Sequence, residues 1–259
     1  MIRIGVAGWS IPAVHAHRFT GEGTHLERYA RAFSCVEINS SFYRRHAAAT
    51  YARWAASTPA SFQFALKLPR TITHELRLTG ARQPLREFLA DTDGLGRKRG
   101  PLLVQLPPSL WFDGRVAARF FGVFRERYGG AIVCEPRHPT WFAPAATQVL
   151  MRHQVTRAAA DPACGPGAEA PGAWDGLAYF RWHGSPRKYW SRYDATAISM
   201  LARSLKAAAR HADAWCIFDN TALGTAILNA FELRNLMAPT PLAPAVARPS
   251  PTNDRAPMR

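Results

Sequence analysis

Residues 62–68 read Phe-Gln-Phe-Ala-Leu-Lys-Leu, and this stretch decides the fold. Phe62, Phe64, Leu66 and Leu68 fall on one parity, and Gln63, Ala65 and Lys67 on the other. Successive side chains of a strand point to opposite faces. The stretch is therefore a strand with one large apolar face and one face of small and polar groups, ending in a lysine. Seven further segments are built in a similar way: Ile2–Trp9, Ser34–Ser41, Pro101–Pro107, Ala131–Arg137, Val155–Asp161, Leu177–His183 and Trp215–Asn220. Eight strands, nearly all separated by helical segments, predict an α/β fold of the TIM type, a (β/α)8 barrel.

In such a barrel the large apolar parity packs under the outer helices, and the smaller mixed parity fills the interior. The rule turns Arg3, Gly5, Ala7 and Trp9 inward on the first strand, and Cys35, Glu37 and Asn39 on the second. It turns Leu103 and Gln105 inward on the fourth, Val133, Glu135 and Arg137 on the fifth, Asp161 on the sixth, and Tyr179, Arg181 and His183 on the seventh. On the last strand Asp219 and Asn220 point oppositely, and either could face in.

Helices are expected over Thr24–Phe33, Ala47–Ser57, Gly114–Tyr128, Trp141–His153, the segment after Asp194 and Ala222–Met237. Ile198, Leu201, Leu205 and Ala208 recur at helical spacing, with Asp194 placed to cap. Residues 162–176 hold three prolines and four glycines, so a connection without a helix is expected there. One barrel domain is expected over residues 1–237. Six prolines in residues 238–259 predict a disordered Pro/Ala-rich tail.

The formal charge is +15, of which the tail contributes only +2. A basic domain favours anionic partners, from phosphate and phosphorylated metabolites to nucleic acid. The densest basic run, Arg97–Lys98–Arg99, precedes the fourth strand and reads as a solvated loop on the face opposite the site. No apolar run reaches the roughly 20 residues that span a bilayer, so no membrane partner is expected. The opening MIRIGVAGWS reads as a strand rather than a signal peptide. Cys35, Cys134, Cys164 and Cys216 show no metal spacing and read as reduced thiols of a cytoplasmic protein. No P-loop, GxGxxG, GxSxG or HExxH motif occurs, which disfavours NTPases, dinucleotide enzymes, α/β-hydrolases and zincins and gives no nucleotide cofactor.

Several segments together resemble the YecE-like family, domain of unknown function 72. They are GVAGWS (5–10), VEINSSFYR (36–44), FALKLPRTITH (64–74), LLVQLPP (102–108), CEPRHPTW (134–141), YFRWHG (179–184) and FDNTALGTAILNA (218–230). The resemblance implies a TIM-type barrel with a polar cavity and no assigned reaction. It also implies an asparagine at 219 and an aromatic at 136, where this chain has Asp219 and Pro136.

Burying many charges is expensive, so a polar barrel end is usually there to hold something. The candidate catalytic residues are Glu37, Lys67, Glu135, Asp161 and His183. Substrate binding is expected from Trp9, Asn39, Tyr43, His74, Gln105, Arg137, His138, Arg181, Asp219 and Asn220, with Trp141 a further rim aromatic. Lys67, Arg137 and Arg181 would form a cationic ring for phosphate or carboxylate. Glu37 or Glu135 would act as acid or base and His183 would assist proton transfer. The reading is a hydrolase, lyase or isomerase acting on a small anionic or sugar-phosphate-like substrate. Two alternatives stand beside it. One is a metal-dependent phosphoester hydrolase or nucleic-acid-binding protein, with Glu37, Glu135, Asp161 and His183 as ligands to a divalent ion. The other is a non-catalytic ligand-binding barrel.

Overall fold

The computed structural model describes residues 1–238. Residues 239–259, and so nearly all of the expected Pro/Ala-rich tail, lie outside the described residues. Ten strands are present: β1 (Ile2–Val6), β2 (Cys35–Ile38), β3 (Gln63–Lys67), β4 (Arg99–Gln105), β5 (Ile132–Glu135), β6 (Val155–Arg157), β7 (Ala159–Asp161), β8 (Gly172–Ala173), β9 (Leu177–Trp182) and β10 (Asp213–Phe218). They form a four-stranded sheet, β1-β10-β9-β7, and a six-stranded sheet, β2-β3-β4-β5-β6-β8. All pairings are parallel except that of the short β8 with β6.

The two sheets approach each other at two places. Ala7 bridges to Glu37, and the Gly8 N–H donates to the Glu37 carbonyl at 2.8 Å. On the other side β6 and β7 are consecutive, separated only by Ala158, whose N–H donates to the Cys134 carbonyl at 2.8 Å. The Tyr29 hydroxyl spans the first junction. It accepts from the Val6 N–H at 2.9 Å and donates to the Cys35 carbonyl at 3.0 Å.

The alternation read from the sequence separates two buried clusters. Cys35, Ala65, Leu103, Val133, Ala158, Tyr179, Trp215 and Ile217 pack together on one face of the strands. Phe64, Leu66, Leu102, Val104 and Ile132 belong to a larger core with residues of the helices. Each fully buried Phe or Leu of that core contributes roughly 1.5–3 kcal/mol relative to exposure. Gly5 lies against the inner cluster, where an added Cβ would stand 2.3 Å from the Cys35 carbonyl oxygen.

Eight helices cover the strands: α1 (His25–Ala32), α2 (Ser40–Tyr43), α3 (Ala48–Ala56), α4 (Arg82–Thr92), α5 (Gly114–Arg127), α6 (Pro144–Arg152), α7 (Ala195–Ala208) and α8 (Thr225–Met237). Local chemistry sets their starts. Thr24 and Glu27 form a reciprocal capping box on α1. Asp113 and Asp194 accept from first-turn N–H groups of α5 and α7.

The structure corrects the sequence reading at several elements. Helix α4 was not expected, yet Leu85, Phe88 and Leu89 are buried at i, i+3, i+4 spacing with Pro84 harmless in the first turn. The second strand stops at Ile38, because Ser40–Tyr43 turns into α2. Lys98 is no solvated loop residue: its ammonium donates to the carbonyls of Ala55 and Thr58, both at 2.6 Å. Arg99 is likewise tied to Asp93, Thr92 and the Leu89 carbonyl. The connection at 162–176 has no helix, as expected, and carries the short β8.

Candidate active site

The C-terminal ends of six strands bring Glu37, Lys67, Gln105, Glu135, Arg181 and Asp219 toward one region, with His183 just past β9. Arg181 is its centre and is almost fully buried. Its Nε and Nη2 clamp Glu37 at 2.7–3.1 Å. Its Nη1 donates to Glu135 at 3.1 Å, and Nη2 also lies 2.9 Å from Asp219. The Tyr179 hydroxyl, two residues back on the same face, donates to Glu37 at 2.9 Å. Such charge-assisted, partly bidentate bonds fix orientation as well as energy.

His183 sits between two carboxylates. Its Nδ1 is 3.0 Å from Asp219, and its Nε2 is 3.1 Å from Glu135 and 2.8 Å from the Arg137 guanidinium. Arg137 also pairs with Glu135 at 2.5 Å. A proton on Nδ1 lets Nδ1–H donate to Asp219 and Nε2 accept from Arg137, whereas a proton on Nε2 donates to Glu135. Asn39 donates to the second Asp219 oxygen at 3.3 Å. Two buried atoms here have no hydrogen-bond partner, Asn39 Oδ1 and Arg137 Nε.

Burial pushes the Glu135 and Asp219 carboxyls up, but neighbouring cations outweigh it. Arg137, Arg181 and His183 hold Glu135 well below the usual carboxylate range. Arg181, His183 and Lys67 lower Asp219. Burial raises the Tyr179 phenol far up, and Glu37 adds to the shift.

Lys67 stands apart. It is 9% exposed, and among the described residues its ammonium has no hydrogen bond or ion pair. Nζ lies 3.9 Å from the centre of the Phe42 ring, a cation–π contact. Burial lowers its pKa to about 8, helped by Arg181 and opposed by Glu37, Asp219 and Glu135. With Lys67 charged, three cations (Lys67, Arg137, Arg181) balance three carboxylates (Glu37, Glu135, Asp219).

The expected cationic ring is therefore not free, since carboxylates already engage Arg137 and Arg181. Two expected site residues lie elsewhere. Asp161 pairs in register with Trp182, one residue off the Arg181 parity, because it is Ala160 that pairs with Arg181. Its carboxylate accepts from the Tyr193 hydroxyl at 2.6 Å. Asn220 also faces away: it donates to the Ser191 carbonyl at 2.9 Å and to Asn229 at 3.0 Å, tying a loop to α8. Asp219 is the member of that pair that joins the Arg181 cluster.

The remaining candidates surround the cluster or support its loops. His74 lies edge-on to Phe42 at 4.9 Å and bonds the Thr73 hydroxyl at 2.8 Å. Burial and Lys67 lower its pKa. Gln105 is the register partner of Glu135, and its amide donates to the Leu106 carbonyl at 2.7 Å. His138 caps the Pro139–Phe142 turn, accepting from the Thr140 N–H at 3.3 Å. Trp9 packs edge-on to Trp54, and Tyr43 is 77% exposed against Phe42. Trp141 is fully buried and bonds the Leu110 carbonyl, so it is a packing residue.

Three contributors escaped the sequence reading as site residues. Tyr179 was legible, since it shares the Arg181 parity. Phe42, under Lys67, sits in the four-residue helix α2, too short to give a periodic signal. Tyr189 approaches His183 edge-on at 5.8 Å from a loop. Among the described residues no group of three or more His, Cys, Asp or Glu side chains is arranged to hold a metal ion.

These parallel strands with a charged, interlocked C-terminal end are those of an uncharacterised α/β family. The chain belongs to the family described as protein of unknown function DUF72, whose model matches residues 3–254. It is similar to UPF0759 protein YecE of Escherichia coli strain K12, 34% identical over 153 residues, or 55% of this chain and 51% of YecE. It is also similar to UPF0759 protein YunF of Bacillus subtilis strain 168, 28% identical over 152 residues, or 56% of this chain and 53% of YunF. The chain thus spans about half the length of the relatives it matches. Two solved structures share the fold. A DUF72 family protein of Enterococcus faecalis V583 gives a TM-score of 0.78 at 20% identity, over 92% of this chain and 95% of its own. One from Thermotoga maritima MSB8 gives 0.76 at 22% identity, over 92% and 99%. No helix among the described residues is long and apolar enough to cross a membrane.

Proposed function

We propose that the two sheets are halves of one closed TIM-type barrel over residues 1–237, and that its polar end is the active site of an enzyme. The substrate is a small anionic or sugar-phosphate-like molecule, and the chemistry is acid–base. Closure is supported by the Ala7–Glu37 bridge on one side and the run of β6 into β7 on the other. Sites at the C-terminal ends of barrel strands are the rule for this architecture. Buried free thiols at Cys35, Cys134 and Cys216 support a cytoplasmic setting.

The observation that carries the reading is Lys67, a largely buried side chain whose ammonium has no hydrogen bond or ion pair among the described residues, beside a cluster in which the other charges are paired. Asn39 Oδ1 and Arg137 Nε add an acceptor and a donor in the same region. Buried polar atoms are nearly always bonded, so Asn39 Oδ1 and Arg137 Nε, beside the Lys67 ammonium, suit a hydroxylated ligand with an anionic group. Exposure divides the roles. Glu37 and Glu135 are 0% exposed with oxygens engaged by Arg181, so they position that guanidinium. The Asp219 side chain is 9% exposed, which makes it the carboxylate able to meet substrate, with His183 behind it. A metal-dependent phosphoester hydrolase is less well supported, because those same glutamate oxygens are bound to Tyr179 and the arginines. Arg28 and Arg125 direct their charge to backbone carbonyls and so add little to a nucleic-acid-binding surface.

Thermal unfolding with and without sugar phosphates and small hydroxy acids tests the reading. A ligand at a hundredfold its Kd should stabilise the wild type by about 2.7 kcal/mol. Lys67→Met should lose that shift, measured against the variant's own ligand-free melting temperature. No stabilising compound, or an equal shift in the variant, overturns it. Turnover of a stabilising compound separates an enzyme from a ligand-binding barrel.

A further inference from the structure

Resting on that reading, we propose that Lys67 is an amine nucleophile whose Nζ condenses with the aldehyde or ketone carbonyl of a small hydroxylated substrate to form an imine.

The residue choice is the first argument. The chain holds 29 arginines and only four lysines, Lys67, Lys98, Lys188 and Lys206. Arginine is its default cation, and arginine cannot lose a proton near neutrality, whereas lysine can. Lys98 is fixed to carbonyl oxygens, and Lys188 and Lys206 are exposed. Lys67 is the buried lysine set among ionisable groups.

Geometry is the second. Nζ rests on Phe42 and carries no hydrogen bond among the described residues, so no protein acceptor must be broken before its nitrogen can react. The groups acting on its charge are Arg181, Glu37, Asp219 and Glu135, and Lys67 in turn acts on His74 across Phe42. Burial and Arg181 bring its pKa to about 8, so about a tenth of the amine is neutral at pH 7. Nearby Asp219 supplies a carboxylate for proton transfer.

The step balances without an oxidant. The neutral Nζ attacks the carbonyl carbon, the C=O π pair moves to oxygen, and that oxygen takes a proton. The carbinolamine then gives up its Nζ proton, its hydroxyl leaves as water with a proton from the acid, and a C=N bond remains. One water is released per imine.

The test uses the full chain with sodium cyanoborohydride and three probes in turn: glycolaldehyde, pyruvate and glyceraldehyde 3-phosphate. Peptide mapping measures the adduct at each amine. The expected result is one adduct per chain with at least one probe, on Lys67 at about tenfold or more over Lys98, Lys188 and Lys206. Lys67→Arg should lose it at unchanged Tm. Equal labelling of all lysines, or none at Lys67, overturns the proposal. A parallel melt with lactate and glycerol 3-phosphate, which lack the carbonyl, separates the two claims. If they stabilise the wild type but not Lys67→Met while trapping fails, the anion site stands and the imine is refuted. If neither binding nor trapping occurs, both fail.

Discussion

Arg181→Met should be among the most damaging single changes in this chain, and the damage should depend on pH. The arginine is buried and is held by Glu37, Glu135 and Asp219. Methionine fills similar volume but takes one positive charge from a balanced set of three and three. Removing one partner of a buried ionic network costs about 3–5 kcal/mol, because the other charges are left uncompensated. Against a typical total of about 5–15 kcal/mol that is a large fraction. The pH dependence follows from the carboxyls. In the wild type Glu135 and Asp219 are held low, so their contribution is present above the unfolded carboxylate range and is lost as pH falls through their folded values. Without Arg181, burial acts on them with less opposition and favours the protonated forms, so the variant recovers as pH falls. The stability difference should be largest near pH 7.5 and clearly smaller near pH 5. Urea unfolding followed by circular dichroism at both pH values measures it, with equal m-values as the two-state check. A loss under about 1 kcal/mol at pH 7.5, or the same loss at both pH values, would refute the argument that Arg181 neutralises this cluster.

Two further changes probe how the strands meet. Gly5→Ala places a Cβ 2.3 Å from a backbone oxygen and 2.9 Å from the Cys35 sulfur, so it should lower stability by about 1–3 kcal/mol, and an unchanged melting temperature counts against this packing. Tyr29→Phe leaves the Val6 N–H and Cys35 carbonyl unpaired where the two sheets approach, for a loss of about 1–3 kcal/mol; hydrogen exchange at the Val6 amide should accelerate, and unaltered protection would contradict the bridging role.

Much of this architecture was legible because strand parity is strict. Once Phe64 and Leu66 are assigned to the helix side, Ala65 and Lys67 must face the other way, and the same logic placed Glu37, Glu135, Arg181 and His183 together. It misplaced Asp161, since the inward set of that segment is Thr156, Ala158 and Ala160, and counting one residue off reverses the face. Helix α4 was readable from its Leu and Phe spacing but lay in a stretch rich in arginine and polar residues. The partners of each charge were not legible. A sequence shows that Arg137 and Arg181 point to one end, but it does not show which carboxylate each will meet. That pairing, which removes two cations from the expected anion ring, depends on side-chain reach across strands distant in the chain.

The pairing also bears on which chemistry the site favours. With Lys67 protonated the cluster is neutral; loss of that proton leaves three carboxylates against two guanidinium groups. Glu37, Asp219 and Glu135 lie beyond ion-pair distance of Nζ yet still favour a positive charge at this place. An imine on Lys67 satisfies that preference by taking up a proton at the same nitrogen. The protonated imine is also the form that draws electrons from the adjoining carbon. The carboxylates that keep Lys67 largely charged at rest would then stabilise the electrophilic state of the adduct, in line with the general rule that enzymes arrange fixed charges around the charge a reaction develops. A variant that neutralises Asp219, the least buried of the three, should therefore weaken the adduct while leaving Arg181 its two glutamates.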